Sequence, residues 1–318
     1  MVRSFLKDTD FTPAEAAEVF ALADRYKRIR SAGRLDVLNG QSWGLIFFKK
    51  STRTRLSFEA GVYELGGHPM MMNASDLQLS RGETVEDTAK IMGRFLHGLV
   101  IRTFEQEIVE DFAKYSGLPV VNALTDLLHP CQSYTDMFTM TEVFSSGEPK
   151  PESVKGRKLA FFGDTACNMA YSLALAGSLF GVEVVLCGPK EFAPEPALDK
   201  LYKDAKLAKN WSFTTDPEAA ARNADVIYTD VWVSMGKEEE KASRLAALAP
   251  YQVNEKLFKL AKKESVFMHC LPAHSGEEVS EGVLRGEKSV IFDQAENRLH
   301  VQKAIVSYLV QKNRAAKI

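Results

Sequence analysis

Cysteine is scarce and never closely paired: Cys131, Cys167, Cys187 and Cys270 are the only four in 318 residues. Zinc knuckles and ribbons need closely spaced thiols, and disulfide frameworks need a dense set, so both classes are excluded. Free, scattered thiols suit a reducing compartment. No excess charge of either sign is present. Forty Lys and Arg against 42 Asp and Glu leave a formal net charge of -2. That balance excludes a general nucleic-acid or membrane-surface binder, and any attraction for anions has to be local. No apolar run approaches membrane-spanning length. The segment Met1 to Asp10 has neither an apolar signal core nor Arg/Ser-rich transit character, so the expected location is the cytoplasm. Repeats and low-complexity tracts are absent. The turn at Gly163-Asp164 joins a strand to a helix but lacks the G-x-G-x-x-G glycines, which argues against a dinucleotide-dependent oxidoreductase. No cluster of metal-ligating residues is evident, and no cofactor is expected.

What is present is an ordinary globular composition, 45% hydrophobic and 26% charged, in a chain long enough for two domains. Thr12-Pro13-Ala14-Glu15 reads as a helix start with a capping box, and the helix is expected to reach about Ala32. Apolar strands are expected at Trp43–Phe48, His68–Met72, Gly98–Arg102 and Val120–Asn122, alternating with helices. Asn73 to Glu83 reads as a polar, irregular loop. Ser145-Ser146-Gly147-Glu148-Pro149-Lys150-Pro151 is the best domain boundary. Beyond it the alternation restarts, with strands at Lys158–Phe162, Val182–Cys187, Ala224–Asp230 and Val266–His269, and a last helix running to about Gln311. Strand and helix in strict alternation predict an α/β protein of two domains, each a parallel sheet flanked by helices.

One stretch organises the reading. Phe47-Phe48-Lys49-Lys50-Ser51-Thr52-Arg53-Thr54-Arg55 follows a buried strand and opens a helix whose apolar residues recur at helical spacing until Gly66-Gly67. A helix start offers free backbone N–H groups and the positive end of the helix dipole. Hydroxyls on Ser51, Thr52 and Thr54 add donors, with Ser51 and Thr52 as candidate N-caps. Arg53 and Arg55 can bond phosphate oxygens two at a time. One serine or arginine alone would be an ordinary capped surface helix; this density of donors points to an anion site. Other polar groups recur at the carboxyl ends of expected strands, where open parallel sheets bind ligands. They are Arg102, His129 with Gln132, Asn168, Asp230 with Ser234 and Met235, His269-Cys270-Leu271-Pro272, and Arg298. Each has a bland reading on its own: a satisfied loop histidine, a small buried cysteine, a capping aspartate. Their convergence on strand ends is what raises them.

These strings resemble those of the aspartate and ornithine carbamoyltransferase family. Ser51-Thr52-Arg53-Thr54-Arg55 is similar to its carbamoyl-phosphate motif, and His129-Pro130-Cys131-Gln132 to its His-Pro-x-Gln. Asp230-Val231-Trp232-Val233-Ser234-Met235-Gly236 and His269-Cys270-Leu271-Pro272 resemble the ornithine branch, and Ala295-Glu296-Asn297-Arg298 its last phosphate arginine. The aspartate branch has an arginine after Leu-Pro, where this chain has Ala273. The resemblance implies an active site in the cleft between a carbamoyl-phosphate domain (1–145, joined by the helix 297–318) and an ornithine domain (146–296).

It further implies transfer of the carbamoyl group of carbamoyl phosphate to the δ-amine of L-ornithine, giving L-citrulline and phosphate. Ser51, Thr52, Arg53, Thr54, Arg102 and Arg298 would hold the phosphate. Arg102, His129 and Thr54 would donate to the carbonyl oxygen, while Gln132 and the carbonyls of Cys270 and Leu271 accept from the carbamoyl NH₂. Asp230 would pair with the α-ammonium of ornithine, with Asn168, Leu271, Ser234 and Met235 around the amino acid, and Cys270 would position the δ-amine. The resemblance also implies a homotrimer or a multiple of one, with Gln78 reaching into a neighbour's site. Alternatives are carbamoyl transfer to another amine, such as an N-acylornithine or putrescine, and a catalytically silent anion-binding relative. Asp230 speaks against the first, since it needs a free α-ammonium. His129, Gln132, Cys270 and Asp230 together speak against the second.

Overall fold

The computed structural model describes residues 2–233 and 238–316, without the side chains of Ser80 and Glu238. By internal contacts the chain divides into two compact units. One is Met1–Phe138 with Ser145–Lys150 and Glu296–Ile318; the other is Thr139–Phe144 with Pro151–Ala295.

The first unit carries α1 (Pro13–Arg28), β1 (Ser42–Phe47), α2 (Arg53–Glu64), β2 (His68–Asn73), α3 (Val85–Phe95), β3 (Gly98–Arg102), α4 (Gln106–Ser116) and β4 (Val120–Leu124). Its four strands pair in parallel in the order β2-β1-β3-β4. Parallel strands covered on both faces need near-continuous apolar sequence, and Leu45, Ile46, Leu99, Val100, Ile101, Val120 and Val121 are fully buried. One face packs on α3 and α4 through Ala89, Met92, Val109 and Phe112. Each large side chain so buried stabilises the unit by ~1.5–3 kcal/mol. Gly66 ends α2 at φ +94°, where an added Cβ would lie 2.2 Å from the Leu35 carbonyl oxygen, so only glycine fits that turn.

Helix α5 (Pro130–Phe144) begins in the first unit and ends in the second. The second unit then holds β5 (Lys158–Phe162), α6 (Asn168–Phe180), β6 (Glu183–Cys187), α7 (Pro196–Ala205), β7 (Trp211–Thr214), α8 (Pro217–Ala221) and β8 (Val226–Thr229). After them come α9 (Lys241–Leu248), α10 (Glu255–Phe258), β9 (Val266–His269), α11 (Glu281–Leu284) and the first turn of α12 (Ile291–Ala315). Five parallel strands lie in the order β7-β6-β5-β8-β9. Helix α6 is apolar all round, with Met169 to Gly177 buried, as a helix packed on every side must be. From Glu296 onward α12 belongs to the first unit, held by Tyr26 Oη donating to Ser307 Oγ at 2.9 Å and Lys27 Nζ to Asn297 Oδ1 at 2.8 Å.

The capping box at Thr12 and Glu15 forms, but α1 stops at Arg28 and a short 3₁₀ turn, Arg30–Ala32, takes the rest. Asn73 to Glu83 is not irregular: it contains the 3₁₀ turns Ala74–Asp76 and Gln78–Arg81. Strand β7 and helix α9 gave no clear sequence signal. The first is a short edge strand and the second follows a charged run without a side-chain cap.

Gly98 and Trp43 are register partners on β3 and β1. A Cβ at Gly98 would lie 2.5 Å from the fully buried Trp43 ring. Gly98→Ala is therefore expected to lower the unfolding free energy by about 1–3 kcal/mol. Gly147, with nothing within 4 Å of its virtual Cβ, is the control position. Denaturant unfolding of both variants checks this; equal midpoints would refute the packing argument.

Candidate active site

Each sheet reverses its strand order once; residues 51–54, Arg102, Asn168 and Asp230 follow or end the strands that flank that reversal, while His129 and Gln132 follow β4, and Cys270 and Leu271 follow β9. In the first unit β1 and β3 are neighbours, paired up to Phe47 and Arg102. The chain leaves β1 through Ser51 into α2 and leaves β3 at Arg102 itself. Thr52 occupies the N-cap position of α2 but its side chain makes no cap bond. The expected capping role is thus corrected. Ser51, Thr52 and Arg53 make no side-chain hydrogen bond to another described residue, which leaves their donors available to a ligand.

Thr54 is buried one residue into α2. Its Oγ1 accepts from Arg102 Nη1 at 3.4 Å and from Arg298 Nη2. A hydroxyl that accepts from two guanidiniums keeps one hydrogen to donate. Arg102 and Arg298 are both nearly fully buried, so their charge acts in a medium that screens weakly. His129 precedes α5, and its carbonyl accepts from the backbone N–H groups of Gln132 and Ser133. Burial, and then the guanidiniums of Arg298 and Arg102, hold the His129 imidazole well below its usual 6.5. It is neutral at physiological pH and serves as a hydrogen-bond donor through one nitrogen.

Gln132 is fully buried. Its Nε2 donates to Asp136 Oδ1 at 2.8 Å, which fixes the amide orientation. The other end, Oε1, is buried with no hydrogen-bond partner among the described residues. A buried acceptor in that state costs about 1–3 kcal/mol unless a ligand N–H meets it. Gln78 stands apart from these groups. It is exposed on its 3₁₀ turn and lines a groove of about 500 Å³ with Met70, Met72, Ile91 and Phe95.

In the second unit the reversal lies between β5 and β8. Asn168 opens α6 after β5, and Asp230 follows β8 directly. Asp230 Oδ1 accepts from the Cys270 thiol at 2.9 Å and from the Val231 backbone N–H at 2.7 Å. Burial raises the Asp230 pKa above its usual 3.8, opposed by His269 and by those two bonds. A thiol that donates to a carboxylate is protonated, which favours a positioning role for Cys270 over nucleophilic attack.

Leu271, at φ +60°, holds a left-handed conformation rare for a leucine. Its N–H donates to His269 Nδ1 at 2.8 Å, so the imidazole hydrogen sits on Nε2, 3.2 Å from Glu278 Oε1. Glu278 also accepts from the His274 backbone N–H at 2.5 Å. Asp230, His269 and Cys270 offer ligand atoms within 4.8 Å of one another, a spacing a metal ion can use. Both nitrogens of His269 are already engaged, so the imidazole does not suit that purpose. Ser234 and Met235 lie outside the described residues. Arg244 and Glu278 had no signal in the sequence, and Asp164 showed only as part of the Gly163-Asp164 turn; the bond from Arg244 to Asp164 spans 80 residues of sequence.

Comparison with known proteins agrees with this division. The family model described as aspartate/ornithine carbamoyltransferase, carbamoyl-P binding domain, matches residues 3–142; the Asp/Orn binding domain model matches residues 155–309. The latter runs into α12, whose later turns pack with the first unit. An ornithine carbamoyltransferase of Methanoculleus marisnigri is 43% identical over 98% of this chain and 97% of its own. That of Syntrophus aciditrophicus is 45% identical over 98% of this chain and all of its own, 100%. The solved ornithine carbamoyltransferase of Pyrococcus furiosus superposes with a TM-score of 0.87 at 41% identity, covering 96% of each chain. The anabolic enzyme of Campylobacter jejuni gives 0.88 at 34% identity, over 98% of this chain and 99% of that one. With both halves matched in order and nearly every residue covered, the chain belongs to the aspartate/ornithine carbamoyltransferase family.

Proposed function

We propose that the protein is an ornithine carbamoyltransferase, joining carbamoyl phosphate and L-ornithine into L-citrulline and phosphate in arginine metabolism. The observation that carries the donor's identity is the buried Gln132 Oε1. A phosphate site needs only donors; an acceptor with no protein partner calls for a ligand that also carries N–H, as a carbamoyl group does. Ser51, Thr52, Arg53, Thr54, Arg102 and Arg298 hold the phosphate. Thr54, Arg102 and neutral His129 donate to the carbonyl oxygen as the δ-amine attacks and that oxygen gains charge. The tetrahedral intermediate then expels phosphate, which takes the amine's proton. The carbonyls of Cys270 and Leu271 take the remaining carbamoyl hydrogens. Asp230 binds the α-ammonium, with Asn168, Ser234, Met235 and Leu271 around the carboxylate and carbon chain. Orientation of the two bound reactants supplies most of the acceleration.

The assembly we propose is a homotrimer or a multiple of one. Its support is the apolar surface beside Gln78: Met70, Ile91 and Phe95 are exposed, Phe95 by 73%. Gln78 would then complete a neighbour's phosphate site. The proposed location is the cytoplasm, where the four free thiols stay reduced. Among the described residues no helix is long and apolar enough to cross a membrane.

Citrulline formation with ornithine, set beside acetylornithine, putrescine and aspartate, tests the function; a preference for any of the other three overturns it. Within that assay Asp230→Asn is expected to raise the ornithine KM by about tenfold or more, as loss of a charge-assisted bond should. The carbamoyl-phosphate KM should hardly move, and equal losses for both substrates would return Asp230 to a structural role. The pH profile separates two groups. The attacking amine has a free pKa near that of lysine, about 10.4, so kcat/KM for ornithine should climb through the neutral range. His129, held below 6.5, is already neutral there, so kcat/KM for carbamoyl phosphate should show no step at that value. A histidine-like inflection near 6.5 would refute the assignment of a neutral donor. Light scattering at assay concentration is expected to report a trimer or multiple; a monomer there sinks the assembly.

A further inference from the structure

Arg244, on α9, has no part in the roles above, yet it is 5% exposed and holds groups from several segments. Its Nε donates to the Trp232 carbonyl at 2.7 Å, and its Nη2 donates to the Asp164 carboxylate. Nη1 lies 3.4 Å from Glu240, and the guanidinium sits 4.6 Å from the centre of the Phe192 ring. An arginine on a short helix normally keeps its head in water. Burying it is costly unless a carboxylate pairs with it and its hydrogens are taken up, and here both conditions hold.

Its two strongest bonds reach two different strand ends. Trp232 lies two residues past Asp230, on the segment leaving β8. Asp164 sits in the turn leaving β5, and its Oδ1 accepts from the Ala166 N–H at 2.9 Å, just ahead of Asn168. A third contact joins the same two segments. Gly163 has φ +125°, and a Cβ there would lie 3.2 Å from the Trp232 indole, so the ring packs directly on the turn. Beneath them β5 and β8 are paired up to Phe162 and Thr229, and Thr229 Oγ1 donates to the Phe162 carbonyl at 2.7 Å. The edge of the sheet where its strand order reverses is thus cross-braced from a helix that follows both strands in sequence.

We propose that Arg244 is a positioning residue for the amino-acid substrate: by gripping Trp232 and Asp164 together it sets the spacing between the Asp230 segment and the Asn168 turn. It touches no substrate itself. The inference rests on the reading of Asp230 and Asn168 as ornithine-binding groups. Arginine is required because the planar fork donates in two directions at once, while a lysine ammonium on a single stem cannot span the two acceptors.

Full-length Arg244→Met and Asp164→Asn, each judged folded by a native circular dichroism spectrum and a cooperative unfolding transition above the assay temperature, test it. A small misplacement of reactant-holding groups costs about ten- to a hundredfold. The ornithine KM is expected to rise on that scale in Arg244→Met and by less in Asp164→Asn, which loses one bond only. Arg244→Lys should fall nearer to Met than to wild type. The carbamoyl-phosphate KM should stay put, and amide hydrogen exchange over 231–233 and 241–248 should quicken. A folded Arg244→Met with wild-type ornithine KM, or with both substrates weakened equally, overturns the proposal. Should Arg244→Met fail to fold, Asp164→Asn carries the same comparison. Wild-type enzyme that forms no citrulline would refute the function and with it the positioning role, whereas active wild type with an indifferent Arg244→Met refutes the positioning role alone.

Discussion

Everything in this protein depends on the strand order of two parallel sheets. In each, the first strand lies inside the sheet, and the chain turns back to add strands on its other side. Connections between parallel strands cross over the faces, so the loops at the carboxyl ends of the two strands flanking the reversal part in opposite directions and leave a crevice. The crevice in the first unit is bordered by the start of α2 and by Arg102; that in the second by the Asn168 turn and Asp230. Polar groups gather there because these are the ends where strand backbone is released from pairing.

The two half-sites use that position differently. The first is built from charge: two buried guanidiniums meet at the Thr54 hydroxyl, and a helix start adds backbone N–H groups. Its histidine is kept neutral by the same positive surroundings. The second is built from hydrogen-bond chains that orient backbone. Glu278 fixes the tautomer of His269, His269 holds the Leu271 N–H, and the turn so formed presents Cys270 to Asp230. The proposed phosphate site would gain from field, and the proposed amine site from geometry. Asp230, partly dehydrated and resistant to ionisation by burial, gains most from an ammonium partner.

At several turns and strand starts the described residues pack with little tolerance. Gly66, Gly98 and Gly163 all stand where a methyl group would meet backbone or a buried ring. Of these, the Gly163 approach lies at a carboxyl-end crevice, where it sets the Trp232 segment against the turn leaving β5. The exposed apolar residues on β2 and α3 are the contrasting feature: among the described residues nothing covers them.

The sequence by itself determined the alternation of strand and helix, because apolar runs and helical spacing are local and strong. It also determined the cluster of donors at the start of α2, the proposed anion site, because donors adjacent in sequence stay adjacent in space. Asp230, Cys270 and Asn168 were legible through their strings. Only the tertiary structure decided which residues hold those groups in place. Arg244 and Glu278 carry no local signal, since an arginine or acid in a charged run reads the same as one turned inward, and the Gly163-Asp164 turn gives no sign of the arginine that its acid holds. Thr52 stands at the N-cap position, as a hydroxyl before a helix suggests, but with its backbone in the αR region its side chain makes no cap bond. That the later turns of α12 pack with the first unit was expected only through the resemblance, because a uniformly buried helix gives no sign of which core it enters, and the helix itself, Ile291–Ala315, runs further than its spacing suggested. Local physics writes elements and motifs into sequence; contacts between residues far apart in the chain exist only once the fold has brought them together.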